Sequence, residues 1–327
     1  MTHRNRIEAA IKGEPTDRVP IALWRHFPYV DQTAEGLAGA VVDFQREHGF
    51  DIVKVTPTSG YPAEAWGASL QHLDNDEGTR EYTKRAVQSP EDWTKLTALD
   101  FSDGVLAREL NALRLVREGV GPDVHVLQTI FSPLTIGKQL GGDLLPTSMS
   151  DHADELKIAL ETVAETMARY AAASLENGAD GIFFASQLAG RESMPDEQYA
   201  EFGVPYDLKV LEGIAGRDAL VLLHLHGGEP MFGLANKYPV QIVNWHDRET
   251  KPSLKEGKGM FSGGAVLGGL DRSGLLLNGT PEQVETQVKD AVRQTNGLGM
   301  IVGAGCVTMA TTPEQNIAAA RHAVEPA

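Results

Sequence analysis

The chain has 327 residues, of which 42% are hydrophobic, and its 29 basic and 45 acidic residues give a formal net charge of −16. This length accommodates two ordinary domains or one α/β barrel. The acidity and the lack of a Lys/Arg run exclude nucleic acid and an anionic membrane as expected partners, and no apolar run approaches the roughly 20 residues of a membrane span.

The amino terminus and the cysteine content bear on location. Residues 1–15 are polar and helical in pattern, unlike a signal peptide. The single cysteine, Cys306, excludes an internal disulfide and is typical of a reducing compartment. We therefore expect a cytoplasmic protein. Its oligomeric state stays open, with a homodimer as one option.

Eight short apolar runs predict strands, and longer amphipathic stretches between them predict helices. The strands are expected at residues 18–24, 50–55, 124–131, 180–186, 219–226, 240–245, 264–270 and 299–305. Most are apolar almost throughout, which is typical of parallel strands buried on both faces. The clearest helical patterns cover residues 153–178, 280–297 and 312–324, and the last two open with Thr-Pro-Glu, a helix-start signal.

This alternation predicts a (β/α)8 TIM barrel. We expect one domain over residues 1–327, with an N-terminal helical segment and an insertion at about residues 60–99 that carries extra turns or a small hairpin. An open doubly wound sheet is the alternative, but no Gly-x-Gly-x-x-Gly fingerprint follows the first strand.

In such a barrel the active site lies at the carboxyl ends of the strands. The residues there that we assign to substrate binding are Trp24, His26, Ser132, Gln187 and Trp245, and those that we assign to catalysis are Arg25, Asp51 and His246. Each of the last three has a structural alternative. Arg25 could form a salt bridge at the rim, Asp51 could be a paired carboxylate, and His246 could be a stacked loop histidine. Lys54 lies on the second strand without an assigned role.

His224, His226 and Cys306 form the strongest candidate site. Alternate residues on a strand point the same way, so the two histidines can bind one ion together, and Cys306 follows the last strand. Two imidazoles and a thiolate resemble a catalytic zinc site with three protein ligands and an open fourth position. Hydrogen-bonded or acid/base histidines are the alternative for the pair, and a small buried hydrophobic residue is the alternative for the cysteine.

Five segments of the chain carry a family resemblance: "RIEAAIKGEPTDRVPIALW", "FDIVKVTPTSGYPAEAWGA", "FSPLTIGKQLGG", "GADGIFFASQLAG" and "TTPEQNIAAARHAV". They resemble the uroporphyrinogen decarboxylase superfamily, which contains true decarboxylases and zinc-dependent, corrinoid-linked methyltransferases. The resemblance covers nearly the whole chain and implies a barrel with its cleft at the strand carboxyl ends. It also matches Asp51 to the decarboxylase's catalytic aspartate.

Two departures place the chain nearer to the methyltransferase branch. Where the decarboxylase has two arginines in "MRQAGRY", this chain keeps Arg25 but has Tyr29 in place of the second, and its late "GHG" histidine falls on Ala304. The methyltransferases use His-x-Cys and a late cysteine in "PGC". His224 and Cys306 match that pattern, while His226 replaces the first cysteine. Because imidazoles are neutral, a zinc ion here would be more positive than in the family pattern, and a hydroxyl, carboxylate or water ligand becomes an option beside a thiol.

The leading hypothesis is therefore a zinc-dependent methyltransferase or demethylase that acts on a small molecule. The chain lacks a cobalamin motif such as Asp-x-His-x-x-Gly, so a corrinoid would be carried by a partner protein. The alternatives are a metal-free decarboxylase of a porphyrinogen or another acid that uses Asp51 and Arg25, and a non-catalytic barrel that binds a tetrapyrrole or a partner.

Overall fold

A parallel sheet lies at the centre of the protein in a computed structural model that describes residues 1–325. In chain order the strands are β1 (Ile52–Val55), β2 (Ser69–His72), β3 (Arg80–Lys84), β4 (His125–Phe131), β5 (Gly181–Ser186), β6 (Leu220–Leu225), β7 (Ile242–Trp245), β8 (Ala265–Leu270) and β9 (Met300–Ala304). Seven of them pair in parallel in the order β1-β4-β5-β6-β7-β8-β9. Every residue of these seven is buried, as expected for the apolar runs that encode them.

Helices connect these strands and pack against the sheet. They are α1 (His3–Lys12), α2 (Ala34–His48), α3 (Tyr61–Ala65), α4 (Gly104–Val120), α5 (Pro133–Gly141), α6 (Leu144–Asp151), α7 (Ala153–Glu176), α8 (Asp196–Phe202), α9 (Val204–Glu212), α10 (Leu254–Met260), α11 (Leu275–Asn278), α12 (Pro281–Thr295) and α13 (Glu314–His322). Short 3₁₀ helices cover Pro90–Lys95 and Phe232–Asn236. The three predicted helices correspond to α7, α12 and α13.

Local sequence explains where the predicted helices begin and end. The Thr280 hydroxyl accepts a hydrogen bond from the Gln283 backbone N–H, and the Gln283 side chain accepts one from the Thr280 N–H, which forms a capping box at the start of α12. Asn296 ends the same helix in the left-handed conformation. The chain then enters β9.

The first of the eight predicted strands, at residues 18–24, is reduced to one isolated parallel bridge between Ile21 and Val302. Val302 N–H donates to the Pro20 carbonyl and Ala22 N–H donates to the Val302 carbonyl, so the segment runs beside β9. On its other side the Ile21 N–H donates to the Asp51 side chain at 2.9 Å. A ladder does not extend because Pro20 has no N–H and the Ile21 N–H bonds a carboxylate instead of a strand. The regular sheet therefore has seven strands, and the complete eight-stranded barrel is not confirmed.

Residues 60–99 contain α3, an antiparallel hairpin of β2 and β3, and the first 3₁₀ helix. The turn of the hairpin reaches the loops that follow β8 and β9. Ala310 N–H donates to the Asp76 carbonyl at 2.6 Å, and Arg272 forms an ion pair with Glu77. The hairpin thus extends over the carboxyl ends of the sheet. Within residues 1–325, no helix has both the length and the apolar character to span a membrane.

Candidate metal centre and its cleft

Four side chains of types that can ligate a metal meet at the carboxyl ends of three strands. His224 belongs to β6 and His226 follows it, His246 follows β7, and Cys306 follows β9. One nitrogen or sulfur atom of each lies within 4.8 Å of the others. His226 Nδ1 is 3.3 Å from His246 Nε2 and 3.6 Å from Cys306 Sγ. The structure thus brings together the three residues of the predicted metal set and adds His246 to them.

Two glycines allow this close approach. Gly227 has a φ of +86°, so the chain turns away directly after His226 in a conformation that L-residues rarely adopt. A Cβ at Gly305 would lie 2.8 Å from the His246 Cα atom. Only glycine therefore lets the loop after β9 pass so near the loop after β7, and this passage delivers Cys306 to the cluster.

Asn244 fixes the orientation and the tautomer of His224. Its Nδ2 donates to the carbonyls of Leu267 (2.9 Å) and Ala304 (3.0 Å), so its Oδ1 must face His224 Nδ1, at 2.7 Å. The His224 Nδ1 therefore carries the proton, and Nε2 carries a lone pair. That Nε2 atom is buried and has no hydrogen-bond partner. A buried acceptor in this state is ready to bind a ligand atom, and the arrangement matches the outer partner of a metal-binding histidine.

The remaining members of the cluster are also held by neighbours of suitable chemistry. His246 Nδ1 is 3.3 Å from Glu249 Oε2 while its Nε2 faces the cluster. Burial alone would raise the pKa of the Cys306 thiol, but His224 and the other two histidines outweigh burial and hold that pKa well below its ordinary value. The same thiolate helps raise the pKa of His226, against the effect of burial. A thiolate among imidazoles is the state that a metal requires.

A cleft of about 110 Å³ opens beside the cluster. Its wall includes His224, His226 and Cys306, three of the five predicted substrate residues, Trp24, His26 and Gln187, and also Lys54, Phe131, Phe183, Glu77 and Thr79. Glu77 and Thr79 come from the turn of the hairpin. The hairpin therefore forms part of the wall.

Two predicted substrate residues do not line the cleft. Trp245 packs edge-on against Phe232, with ring centres 4.8 Å apart, and its Nε1 donates to the Pro252 carbonyl. It points away because side chains alternate along β7, and the neighbouring positions 244 and 246 already face inward. Ser132 is fully buried at the N-cap of α5 and is not among the residues that line the cleft. The structure therefore places both residues outside the cleft wall.

Asp51, which we assigned to catalysis from the sequence, also lies away from the cleft. Asp51 immediately precedes β1, so it lies at the amino end of the sheet, opposite the cleft. Its carboxylate accepts hydrogen bonds from Arg6 (2.6 Å), Arg18 (2.7 Å) and the Ile21 N–H, and it lies 2.9 Å from His3 Nδ1. Burial would raise the pKa of Asp51, but the hydrogen bonds from His3 and Arg18 lower it. The residue is the paired carboxylate of the structural alternative.

Arg25 lies outside the cleft as well. Its guanidinium forms a 2.8 Å ion pair with Glu314 and stands over the rings of Phe27 and Phe44. Because the side chain next to Trp24 points to the opposite side of the segment, Arg25 faces α2 while Trp24 faces the cleft. The salt-bridge alternative describes Arg25 correctly.

Sequence reasoning gave no role to Lys54 or Asn244. Lys54 was visible as a charged residue within an apolar strand, which is a signal in itself because lysine is rarely fully buried without a partner. Asn244 gave no such signal. Its position opposite His224 follows from the pairing of β6 with β7.

A profile of the family described as Uroporphyrinogen decarboxylase (URO-D) matches residues 2–326 of the chain. Among curated proteins, the "Methylcobamide:CoM methyltransferase MtbA" of Methanosarcina mazei is 26% identical over 97% of this chain and 95% of its own length. The "Methylcobamide:CoM methyltransferase MtaA" of Methanosarcina barkeri is 24% identical over 97% and 96%. The "Uroporphyrinogen decarboxylase" of Prochlorococcus marinus is 27% identical over 62% of this chain and 58% of its own.

Among solved structures, a "methyltransferase from Methanosarcina mazei" superimposes with a TM-score of 0.86 over 99% of this chain and 98% of its own, at 22% sequence identity. At that identity the superposition establishes the shared fold. The methyltransferase relatives align over 95% and 96% of their length, whereas the decarboxylase aligns over 58% of its own.

Proposed function

The chain belongs to the uroporphyrinogen decarboxylase family, and from this premise we propose that it is a zinc-dependent methyltransferase with His224, His226 and Cys306 as metal ligands. The class of enzyme is that of its full-length relatives, which are methyltransferases. The observation that carries the metal assignment is the buried, unpartnered Nε2 atom of His224, which Asn244 aims at the cluster.

The donor set fits zinc. Zinc prefers imidazole nitrogen and thiolate sulfur, and a catalytic site uses three such ligands and keeps one position for substrate. The cluster offers three imidazoles and one thiolate within 4.8 Å. We assign three of them as ligands. His246 is kept as the group that contacts the substrate heteroatom, because its Nε2 faces the cluster while Glu249 holds its other nitrogen.

Zinc bound here would supply Lewis acidity to one heteroatom of the substrate. The protein's own residues do the rest. The neighbouring histidines hold the pKa of Cys306 well below its ordinary value, Trp24 and Gln187 contact the substrate in the cleft, and the buried walls exclude water. Exclusion of water strengthens every electrostatic interaction inside the cleft.

We propose that a corrinoid carried by a partner protein supplies the methyl group; the names of the relatives pair methylcobamide with CoM for those enzymes. The cleft, at about 110 Å³, is far smaller than the roughly 300–1,000 Å³ of an ordinary ligand pocket, so a corrinoid could only approach it from the rim. A corrinoid bound at the rim would supply the methyl group, and the acceptor held beside the histidine–cysteine cluster would give up a proton as it gains that group. The acceptor is a small molecule.

The metal-free decarboxylase alternative loses its two assigned residues. Asp51 lies at the amino end of the sheet and Arg25 pairs with Glu314 outside the cleft.

For the finer architecture, we propose that the segment around Ile21 closes the sheet into a single-domain barrel, since it forms hydrogen bonds with both β9 and Asp51. A cytoplasmic location and a homodimer stay predictions.

Metal analysis of protein purified without added metal tests the proposal. Wild type should retain about one zinc per chain, and Cys306→Ser and His224→Ala should each lose most of it, because removing a ligand breaks the three-donor set. His48→Ala is the matched control. That histidine lies in a second cluster with Glu47 and Glu314, and its loss should leave zinc content unchanged.

Two results would contradict the assignment. One is wild-type protein that binds less than roughly a tenth of an equivalent of any transition metal when metal is supplied. The other is full zinc content in both cluster variants. Demethylation of methylcobalamin in the presence of a small thiol, followed by its visible spectrum, then tests the reaction class, and Cys306→Ser should abolish it.

A further inference from the structure

Lys54 is a lysine buried in the wall of the cleft without a counter-charge. It is 6% exposed, and it lines the cavity together with Thr56, two residues further along the chain. Its Nζ donates to the Thr56 hydroxyl at 3.1 Å. Among residues 1–325 it forms no ion pair, and Glu77, a carboxylate of the same wall, is already paired with Arg272. A salt bridge therefore does not explain why a lysine is buried here.

The surroundings of the Lys54 amine favour its neutral form. The Nζ stands 4.6 Å from the centre of the Phe183 ring, and a ring face compensates only part of the hydration that a buried ammonium loses. Burial lowers the pKa of Lys54 to about 7, although the Cys306 thiolate acts in the opposite direction. Exposed lysines titrate near about 10.4 and stay almost wholly protonated at neutral pH. An unprotonated lysine in a desolvated pocket is a nucleophile.

His26 supplies a proton carrier in the same wall. It is 8% exposed, and its Nδ1 atom is buried without a hydrogen-bond partner. Burial and, after it, the charge of Lys54 lower the pKa of His26 to about 4, so the ring is neutral at neutral pH. A neutral imidazole has one N–H and one lone pair, and it can therefore take up a proton and return one.

The size of the cleft limits what can reach the amine. The cavity measures about 110 Å³, and Glu77 and Thr79 of the hairpin turn form part of its wall. A molecule with a few heavy atoms fits into this space. The electrophile that matches an unprotonated amine in a small, partly apolar cavity is a short carbonyl compound.

We propose that Lys54 is a nucleophilic lysine that forms an imine with a short aliphatic aldehyde in the cleft, which is a covalent activity separate from methyl transfer. The Nζ lone pair attacks the carbonyl carbon, and the π electrons move to the oxygen, which takes up a proton. The nitrogen then gives up a proton, and the hydroxyl group takes one and leaves as water as the C=N bond forms. One amine and one aldehyde give one imine and one water, without an oxidant or a reductant. His26 carries protons between the nitrogen and the oxygen.

Reductive trapping at neutral pH tests the proposal. Limiting propanal with cyanoborohydride converts an imine into a stable propylated lysine, and peptide mapping by mass spectrometry identifies the modified residue. Lys54 of the folded wild type should react about tenfold or more faster than exposed lysines such as Lys289, because a larger share of its amine is unprotonated. The same preference should appear in zinc-loaded and in chelator-treated protein.

Unfolding and two lysine variants provide the controls. In guanidinium chloride the rate at Lys54 should fall to that of the other lysines, because the buried environment is lost. Under conditions that place one propyl group on the wild-type chain, Lys54→Arg should stay unmodified, since a guanidinium keeps the charge but remains protonated. Lys289→Arg is the matched control and should still take up one group. Thermal denaturation checks that each variant is folded.

A histidine pair tests the proton carrier. His26→Gln should slow the trapping of propanal at Lys54 several-fold, because glutamine cannot exchange a proton in the cleft. His48→Gln is the matched control, since His48 is buried to a similar extent, at 7% exposed, and does not line the cleft. It should leave the rate unchanged. An unchanged rate in His26→Gln would refute the part assigned to His26.

The outcomes for the lysine and for the metal are independent. If exposed lysines of the folded protein react as fast as Lys54, or if Lys54 keeps its reactivity after unfolding, the nucleophilic lysine is refuted, whatever the zinc content. If the protein binds no zinc yet traps propanal at Lys54, the metal assignment fails and the lysine assignment stands.

Discussion

Asn244 offers the sharpest test of how the fold prepares the metal site. Asn244→Ala removes the acceptor for His224 Nδ1–H, so the ring can rotate or change tautomer and its Nε2 lone pair is no longer aimed at the cluster. Loss of such an outer partner typically lowers metal affinity about 10–100-fold, equivalent to about 1.4–2.8 kcal/mol. The variant also leaves the Leu267 and Ala304 carbonyls without their donor.

The stability effect can be separated from the effect on the metal. Each unsatisfied buried polar group costs about 1–3 kcal/mol, so the metal-free Asn244→Ala protein should lose about 3 kcal/mol or more of unfolding free energy in urea. Asn244→Asp keeps an acceptor for His224 but donates nothing to the carbonyls. It should lose stability while keeping zinc affinity within about threefold of wild type, because a carboxylate also orients the ring.

Asn316→Ala is the matched control. Asn316 is also fully buried, and its Nδ2 also donates to two carbonyls, those of Leu276 and Gly279, away from the cluster. It should lose comparable stability and no zinc affinity. Competition for zinc with a coloured chelator measures the affinity. If Asn244→Ala binds zinc as tightly as wild type, Asn244 does not prepare His224 as a ligand.

Three further predictions concern residues away from the metal. Asp51→Asn should lower the unfolding free energy by about 1–3 kcal/mol, because it removes the buried carboxylate that Arg6 and Arg18 share, while Arg6 keeps its ion pair with Asp17. Zinc content should not change. Since the pKa of Asp51 is lowered, this stabilisation is present above about pH 4 and is lost as the pH falls through the lowered value. Arg25→Lys should leave the substrate KM unchanged, because Glu314 holds Arg25 outside the cleft, and a raised KM would contradict that placement. Burial raises the pKa of Glu109 to about 7. The unfolding free energy measured in urea should therefore fall by up to about 3 kcal/mol as the pH rises from the ordinary carboxyl pKa through 7. If the unfolding free energy of Glu109→Gln depends on pH as steeply as that of wild type, another group titrates.

The predicted site residues that the structure places elsewhere have different physical origins. The family resemblance matched Asp51 to a catalytic aspartate, although the predicted strand at residues 50–55 already put Asp51 at its amino end, and β1 begins one residue after it. There the carboxylate meets Arg6 and Arg18, which are distant in sequence. Trp245 points away from the cleft because side chains alternate along β7 and both of its neighbours face inward.

The sequence by itself determined seven strands, the main helices and the His-x-His pair, because each depends on a local pattern. Apolar runs must be buried on both faces, and a period of two sends His224 and His226 the same way. Only the tertiary structure decided that His246 joins them, that Asn244 holds His224, and that Lys54 and Trp24 share the wall formed by Phe183. These contacts join different strands, and their distances depend on sheet register and curvature, which no single segment of the chain encodes.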